Sequence, residues 1–576
     1  MLFKKFMNYM VMTTLIRRGR KALHEMEVQS KNANQRSRDL LMRIVNDNKD
    51  TEYGKKYHFA DIKSHEDYRR MVPFSGYDDY APYIERVIDK GEKDLYTVYP
   101  IETYALSSGS VGVPKRVPVS AEALDIYSQY AAAKTFATCD NYYKEKTGKH
   151  HKFGMGLNTL EVTYQKTNDG KTLSGCISGA AAAEEKQFMP YGFTSPLEVV
   201  FPEETMNAKY LRVRYALAER NVTFMIGCFM TGLVDCMNYM RDHWEMLCDD
   251  IEKGIINPDI EISAELKAKL EKKIKSDPQR AEELRTEFKK GFDDPIVPRI
   301  WKNMSWVSAV GTSGFKPYTD KMRAFIGPNI PIDFLAYAAS EALMGATKAV
   351  EEEEYVLLPQ SGFYEFIPEN AEDESKTLTI DQLEIGKRYE IVLTNLSGFY
   401  RYRIKDVVEV TGYYYESPMV RFAYRKSQLI NISGEKMTEG DLAWSIAEFS
   451  KETGIPVHDY AVYADTNFPP GRYVVLIESD KPVDMSKVDY YSEVIDKKMG
   501  QANEGGYAYE REGENIAPAK LMIQQKDTHA LYREVMVLRG TSENQLKLVR
   551  VLDTPFKQHF FLKMVEEGQE LLHEQV

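Results

Sequence analysis

The stretch from Asp94 to Thr138 constrains the fold most. Apolar side chains at Leu95, Tyr96, Val98, Tyr99 and Ile101 follow an alternating pattern, which predicts extended chain. The pattern stops at Ser107-Ser108-Gly109-Ser110-Val111-Gly112-Val113-Pro114-Lys115. Beyond it, Leu124, Tyr127 and Ala131 recur at helical spacing, which predicts a helix over Ala121 to Thr138. Strand, glycine-rich turn and helix in that order point to an α/β fold. The same unit suits a phosphate. Glycines let backbone N–H groups turn inward, hydroxyls add donors, Lys115 adds a fixed charge, and the next helix presents a positive N-terminus. The spacing differs from G-x-x-x-x-G-K-[ST], so this is not a Walker-type loop. Taken alone, the run also fits a plain surface turn.

The rest of the chain is consistent with a large globular protein. Its 576 residues are enough to bury a core without disulfides, and 43% of them are hydrophobic. A net charge of −12 argues against a general nucleic-acid binder, which usually carries a basic face. Five cysteines without a C-x-x-C spacing read as structural thiols of a reduced, cytoplasmic protein. Lys4 and Lys5 precede an apolar run from Phe6 to Ile16, but Arg17, Arg18 and Arg20 stand where a leader's cleavage site would be. This predicts an amphipathic helix, docked on the body or lying on a partner. No apolar run reaches the ~18 residues of a membrane span.

Further along, short strands alternate with helices. Val222–Phe229 reads as a strand and Leu233–Leu247 as a helix. The charged stretch from Ala264 to Lys290, broken near Asp277-Pro278, reads as a solvated hairpin of helices. Ser305–Val310 and Ile332–Ala338 are apolar and extended, and Tyr355–Leu358, Phe363–Ile367, Arg388–Thr394 and Val407–Tyr414 follow as strands. The character resets at a boundary over Tyr424–Gln428. After it come a strand (Leu429–Ile432), a helix (Glu439–Thr453), strands over Asp459–Ala464 and Tyr473–Glu478, and a last strand near Gln545–Val551.

Three more segments carry chemistry. Tyr337-Ala338-Ala339-Ser340-Glu341 ends an apolar strand, where ligands sit in α/β sheets. A ring there stacks on a base and a carboxylate holds Mg²⁺, although Ser340 as an ordinary helix cap fits equally. In Gly398-Phe399-Tyr400-Arg401-Tyr402-Arg403-Ile404-Lys405-Asp406, alternation puts Tyr400, Tyr402 and Ile404 on one face and Arg401, Arg403 and Lys405 on the other. Asp406, closing the strand, suits two ribose hydroxyls; a charged edge strand is the plain alternative. Lys547, in Asn544-Gln545-Leu546-Lys547-Leu548-Val549-Arg550, matters only if the terminal part folds over a site. No histidine pair has metal-ligand spacing and no G-x-S-x-G elbow occurs.

Together these segments resemble the acyl-acid amido synthetases named after the plant Gretchen Hagen auxin-response genes, a branch of the adenylate-forming enzymes. The likeness covers nearly the whole chain, beginning at Thr51-Glu52-Tyr53-Gly54, and is that of a bacterial-like member. It implies a large N-terminal domain (1–424) of a β-barrel and two sheets layered with helices, a hinge (425–429) and a small α/β lid (430–576). It implies ATP and Mg²⁺ as cofactors, and as partners a carboxylic acid and an amine, an amino acid's above all, with the chain a monomer. Ser107, Ser108, Gly109, Ser110 and Lys115 would hold the ATP phosphates. Tyr337 and Ser340 would line the adenine and α-phosphate site, Glu341 would bind Mg²⁺, and Asp406 the ribose. Arg425 matches the hinge arginine, Lys436 a lysine of the post-hinge segment, and Lys547 the lid lysine that reaches the α-phosphate. Ser110 replaces a common Thr and Val549 a common Pro, and Gly311 to Arg323 lacks the plant enzymes' acid-pocket residues, so the acid is not carried over. Transfer of the acyl group to a thiol such as coenzyme A, and a non-catalytic nucleotide-binding regulator, are the other readings.

Overall fold

The structure is a computed structural model that describes residues 2–106, 115–162, 164–166, 172–174, 177–204, 206, 208–312, 315–426, 430–433, 435, 437–539, 546–566 and 569. Its largest sheet has seven strands in the order Gly362–Pro368, Arg388–Asn395, Tyr402–Tyr414, Ser417–Arg425, Tyr355–Leu357, Leu343–Ala346, Ala336–Ala338. Every pairing in it is antiparallel. Strands such as Arg388–Asn395 are buried almost end to end, because helices and tyrosine-rich loops cover both faces. The order leaves an edge at Gly362–Pro368 and another at Ala336–Ala338, so the expected barrel is not closed among the described residues.

A second sheet is all parallel: Met155–Asn158, Val222–Phe229, Trp306–Val310 and Ile332–Asp333. Helices Ala208–Ala218, Met230–Lys253 and Lys316–Ile326 pack their apolar faces on it in one core. The charged helices Ala264–Glu271 and Pro278–Phe288 are less solvated than their composition implies, since Leu270, Leu284 and Phe288 enter this core. A third, mixed sheet runs Arg116–Ser120, Ile101–Leu106, Thr172–Ser174, Tyr164–Lys166. The N-terminal segment is helix from Leu2 to Ser30; Met12 and Ile16 dock on Phe136 and Trp306, while Leu2, Phe3 and Phe6 stay exposed.

The expected strand over Ile332–Ala338 is two strands in two sheets. Ile332–Asp333 closes the parallel sheet, Leu335 takes a left-handed φ of 54°, and Ala336–Ala338 begins the edge of the large sheet. A buried ion pair pins this crossing. Lys134 Nζ donates to Asp333 Oδ1 at 3.0 Å, to Leu335 O at 3.0 Å and to Thr347 Oγ1 at 2.7 Å.

Residues 430–565 hold two cores of their own. In the strand Arg472–Ser479, Tyr473, Val475 and Ile477 face helices Glu439–Thr453 and Val488–Ala502, while Val474 and Leu476 face Thr528–Leu538 and Pro555–Lys563. That period of two is what a strand covered on both sides requires. It pairs with Val457–Asp465 and Lys520–Ile523. Two expected strands reduce to single bridges, Ile430 with Met437 and Val462 with Val551. Leu429 and Gln545 lie outside the described residues.

Candidate functional site

Tyr337-Ala338-Ala339-Ser340-Glu341 is a strand and the tip of a hairpin, with no helix after it for Ser340 to cap. The turn closes where Ala339 N–H donates to Ala342 O at 2.9 Å. Two groups outside the hairpin fix its tip. Asn395 Nδ2 donates to Glu341 O at 2.8 Å, and Tyr127 Oη donates to Ala339 O. The Glu341 carboxylate accepts a hydrogen bond from Tyr402, whose phenol burial and that carboxylate push well above the usual tyrosine range.

The segment Gly398–Asp406 departs from simple alternation. Gly398 has φ 95°, and a Cβ there would stand 2.6 Å from the Tyr96 ring, so glycine is required. Arg401 (φ 47°) turns inward, and its Nε donates to Glu365 Oε2 at 2.9 Å in a fully buried pair. Tyr400 stacks on Tyr53 at 4.9 Å and donates to Tyr96 O at 2.7 Å. Of the expected Tyr face only Tyr402 turns to Glu341, and of the expected cationic face Arg401 belongs to the core. Asp406 does not close the strand Tyr402–Tyr414 but sits inside it, where the pairing with Arg388–Asn395 slips between Glu390 and Val392 and Lys405 has φ 65°. A bulge of this kind re-aims a side chain.

Asp406 is almost fully buried and holds two donors. Tyr337 Oη donates to its Oδ2 at 3.0 Å and Arg425 Nε to its Oδ1 at 2.5 Å. Burial, and then the Asp406 charge, push the Tyr337 phenol well above its usual range, so it stays a neutral donor. Lys547 comes from the C-terminal part. Desolvation by the surrounding chain and the Arg425 charge pull it below the usual lysine range, while Asp406, Glu341 and Glu439 oppose that shift. Lys547 therefore lies within electrostatic reach of the Glu341–Asp406–Arg425 group. Its side chain nonetheless reaches solvent.

The structure thus gathers Tyr337, Ser340, Glu341, Asp406, Arg425 and Lys547. Lys115 is exposed, with its ammonium 5.3 Å from the Tyr77 ring centroid. Ser107, Ser108, Gly109, Ser110 and Lys436 lie outside the described residues. Sequence reasoning missed Asn395, Tyr402 and Glu439 as neighbours. Glu439 opens the helix Glu439–Thr453, whose Thr438–Asp441 capping box fixes that turn; burial raises its carboxyl above the usual range, and Lys547 and Arg550 oppose the rise. The local signal was the helix start itself, which says nothing of what it faces. Among the described residues no group of three or more His, Cys, Asp and Glu is placed to hold a metal alone, and no helix is long and apolar enough to cross a membrane.

Known proteins with the same pattern bear on this cleft. A probable indole-3-acetic acid-amido synthetase GH3.1 of Arabidopsis thaliana is 27% identical, over 92% of this chain and 91% of its own. A jasmonoyl–L-amino acid synthetase GH3.5 of Oryza sativa subsp. japonica is 27% identical, over 92% and 94%. Both are plant proteins and lend nothing to the expectation of a bacterial-like member. The solved structure of the GH3.15 acyl acid amido synthetase superposes with a TM-score of 0.82 at 22% identity, covering 96% of this chain and 98% of that one, which shows the shared mixed α/β fold. Profiles of the GH3 family N-terminal, central and C-terminal domains match residues 22–332, 355–425 and 440–555, and with them the chain belongs to the GH3 family.

Proposed function

We propose that this protein uses ATP to convert a carboxylic acid to acyl-AMP and passes the acyl group to an amine, that of an amino acid. The observation that carries the reading is the group Tyr337–Asp406–Arg425, hydrogen-bonded beside the fixed hairpin tip that holds Glu341, with Lys547 of the C-terminal part within electrostatic reach of it. The family's named relatives, an indole-3-acetic acid-amido synthetase and a jasmonoyl–L-amino acid synthetase, agree with it. In this reading residues 1–424 form the adenylating body, 425–429 a hinge and 430–576 a lid. The working unit is one chain in a reducing compartment such as the cytoplasm, where the buried thiols of Cys139 and Cys248 persist.

The roles follow from charge and position. Ser107, Ser108, Gly109, Ser110 and Lys115 hold the β- and γ-phosphates. Tyr337 and Ser340 border the adenine and α-phosphate. Each Asp406 oxygen already accepts one donor and keeps a lone pair for a ribose hydroxyl. Arg425 and Lys436 add charge near the hinge. Glu341 fits Mg²⁺, a hard cation that takes one or two carboxylates plus substrate phosphates, because its carboxylate stands at a rigid hairpin tip beside the cleft. Bound there with ATP, the ion would neutralise phosphate charge.

In the first step the acid's carboxylate oxygen attacks the α-phosphorus, and the bond to the bridging β-oxygen breaks. Its electron pair leaves with pyrophosphate. Lys547 donates hydrogen bonds to the α-phosphoryl oxygens as negative charge builds on them. The lid then turns, the amine nitrogen attacks the acyl carbonyl, AMP departs with the electron pair of the acyl–phosphate bond, and the nitrogen loses a proton to water. A screen of aryl, indole and fatty acids, crossed with amino acids and thiols, tests the reading through AMP and pyrophosphate release. Release that requires an acid, with amide product, supports it. Thioester product, or no acid-dependent release across the panel, overturns it.

A further inference from the structure

The lid lysine sits in a segment with little secondary structure of its own, so something else must aim it. Among its described residues Val551 alone makes a ladder bridge, with Val462, and Val462 N–H donates to Arg550 O at 2.8 Å. The side chains of this segment are tied more firmly. Leu548, beside Lys547, packs into the core of the large part. Arg550 is buried; it donates to Asp459 Oδ1 and to Tyr460 O at 2.9 Å, and its guanidinium lies 4.2 Å from the Tyr460 ring centroid. The other Asp459 oxygen accepts from Tyr318 Oη at 2.5 Å. Tyr318 belongs to the helix Lys316–Ile326 of the large part and is itself buried.

A hydroxyl of the body is thus joined through one carboxylate to the arginine that anchors the Lys547 segment. Burial alone would raise the Asp459 carboxyl, but Arg550, His529 and Tyr318 together hold it well below the usual range, so the link is charged. Two contacts flank it. Lys321 Nζ donates to His458 O at 3.0 Å, and Arg533 donates to Asp235 Oδ1 at 3.0 Å. Within the link Asp459 and Arg550 both belong to the C-terminal part, and Tyr318 alone of the three comes from the large part.

We propose that Tyr318 is a positioning residue for acyl-AMP formation: through Asp459 and Arg550 it holds the lid in the pose that points Lys547 at Glu341 and Asp406. The proposal rests on the adenylation reading given above. It assigns Tyr318 no contact with substrate. When the lid turns for acyl transfer the phenol lets go, and nothing in the second half-reaction requires it.

The experiment separates the two halves in the full chain. Tyr318→Phe removes the hydroxyl and keeps the ring's volume. A hydrogen bond to a charged group lost in this way lowers acid-dependent ATP–pyrophosphate exchange by ~10-fold or more. Aminolysis of chemically prepared acyl-AMP stays within about twofold of the parent, because a shift of one lid pose leaves the other open. Equal loss in both halves, tracking a lowered Tm, marks a purely structural residue and overturns the proposal, as does unchanged exchange. A second measurement is independent of turnover. Spin labels on non-natural side chains at the exposed positions Lys290 and Lys487 report the distance between body and lid. The parent gives one narrow distribution that Tyr318→Phe broadens; identical distributions overturn the proposal. If the parent itself shows no exchange with any acid, the adenylation reading fails, and the label distances still decide whether Tyr318 holds the lid.

Discussion

Asp406 and Arg425 stand directly opposite each other on neighbouring antiparallel strands, and their side chains join at 2.5 Å. Arg425 is the last residue of its strand, so the carboxylate assigned to the ribose is tied to the point where the chain leaves the large sheet. With Tyr337 on its other oxygen, Asp406 is preorganised and its charge is compensated. On the proposed reading, a ribose would meet an acceptor that needs no rearrangement.

Asp406→Asn keeps this shape and removes the charge. A hydrogen bond to a charged group contributes about 1.5–3 kcal/mol, so the KM for ATP rises ~10- to 100-fold in pyrophosphate exchange. The ring stack Phe399–Tyr402 is untouched, but the Arg425 guanidinium loses its charge partner, so Tm falls as well and KM is measured where both proteins are fully folded. An unchanged KM removes Asp406 from the nucleotide site.

Lys547→Ala removes the charge proposed to meet the α-phosphate, and on that reading acid-dependent exchange falls by about 10²–10³. The protonated form does this work. Because the Lys547 pKa lies below that of a free lysine, exchange declines on the alkaline side before free lysine would titrate. Lys547→Arg, if it retains activity, carries that limb to higher pH, since a guanidinium does not deprotonate in this range. A pH profile that is the same for both proteins contradicts the assignment.

The pair Lys134–Asp333 is fully buried and pins the crossing that delivers Tyr337. Lys134→Met leaves the Asp333 carboxylate uncompensated and costs about 3–5 kcal/mol in urea or guanidinium unfolding. Lys134→Met combined with Asp333→Asn recovers part of this, because no lone charge remains. A single variant as stable as the parent shows that water reaches Asp333.

His529, buried beside Asp459, has its pKa pulled down to about 4, by burial first and by the Arg550, Arg533 and His458 charges, against the opposing pull of Asp459. The imidazole is neutral in the fold, while the unfolded chain protonates it near pH 6.5. Its contribution is therefore complete above pH 6.5 and is lost as pH falls toward 4, at no more than about 1.4 kcal/mol per pH unit. His529→Gln flattens this part of the stability curve. A slope that survives the substitution belongs to other groups.

Much of the architecture was legible because it is local. Val222–Phe229 and Glu439–Thr453 come out with the bounds that periodicity and capping residues mark. The failures share one cause. Ile332–Ala338 looks like one strand because apolar content carries no sign of which sheet each half joins; Asp333 and Leu335 decide that through Lys134 and a left-handed turn. Arg401 looks solvent-facing until Glu365, remote in sequence, neutralises it in the core.

The sequence by itself determined the mixed α/β class and most elements in their order along the chain, since each depends on neighbours a few residues away; it did not reveal that Arg116–Ser120 is a strand pairing back on Ile101–Leu106, so that the helix from Ala121 does not directly follow the Ser107–Lys115 run. Only the tertiary structure decided that Asp406 is aimed by a bulge, that Tyr402 and Asn395 hold Glu341, that Lys547 comes within electrostatic reach of them, and that Tyr318 meets Asp459 of the C-terminal part. These are contacts between residues far apart in the chain, and the burial and charge that give them their strength exist only once the sheets have packed.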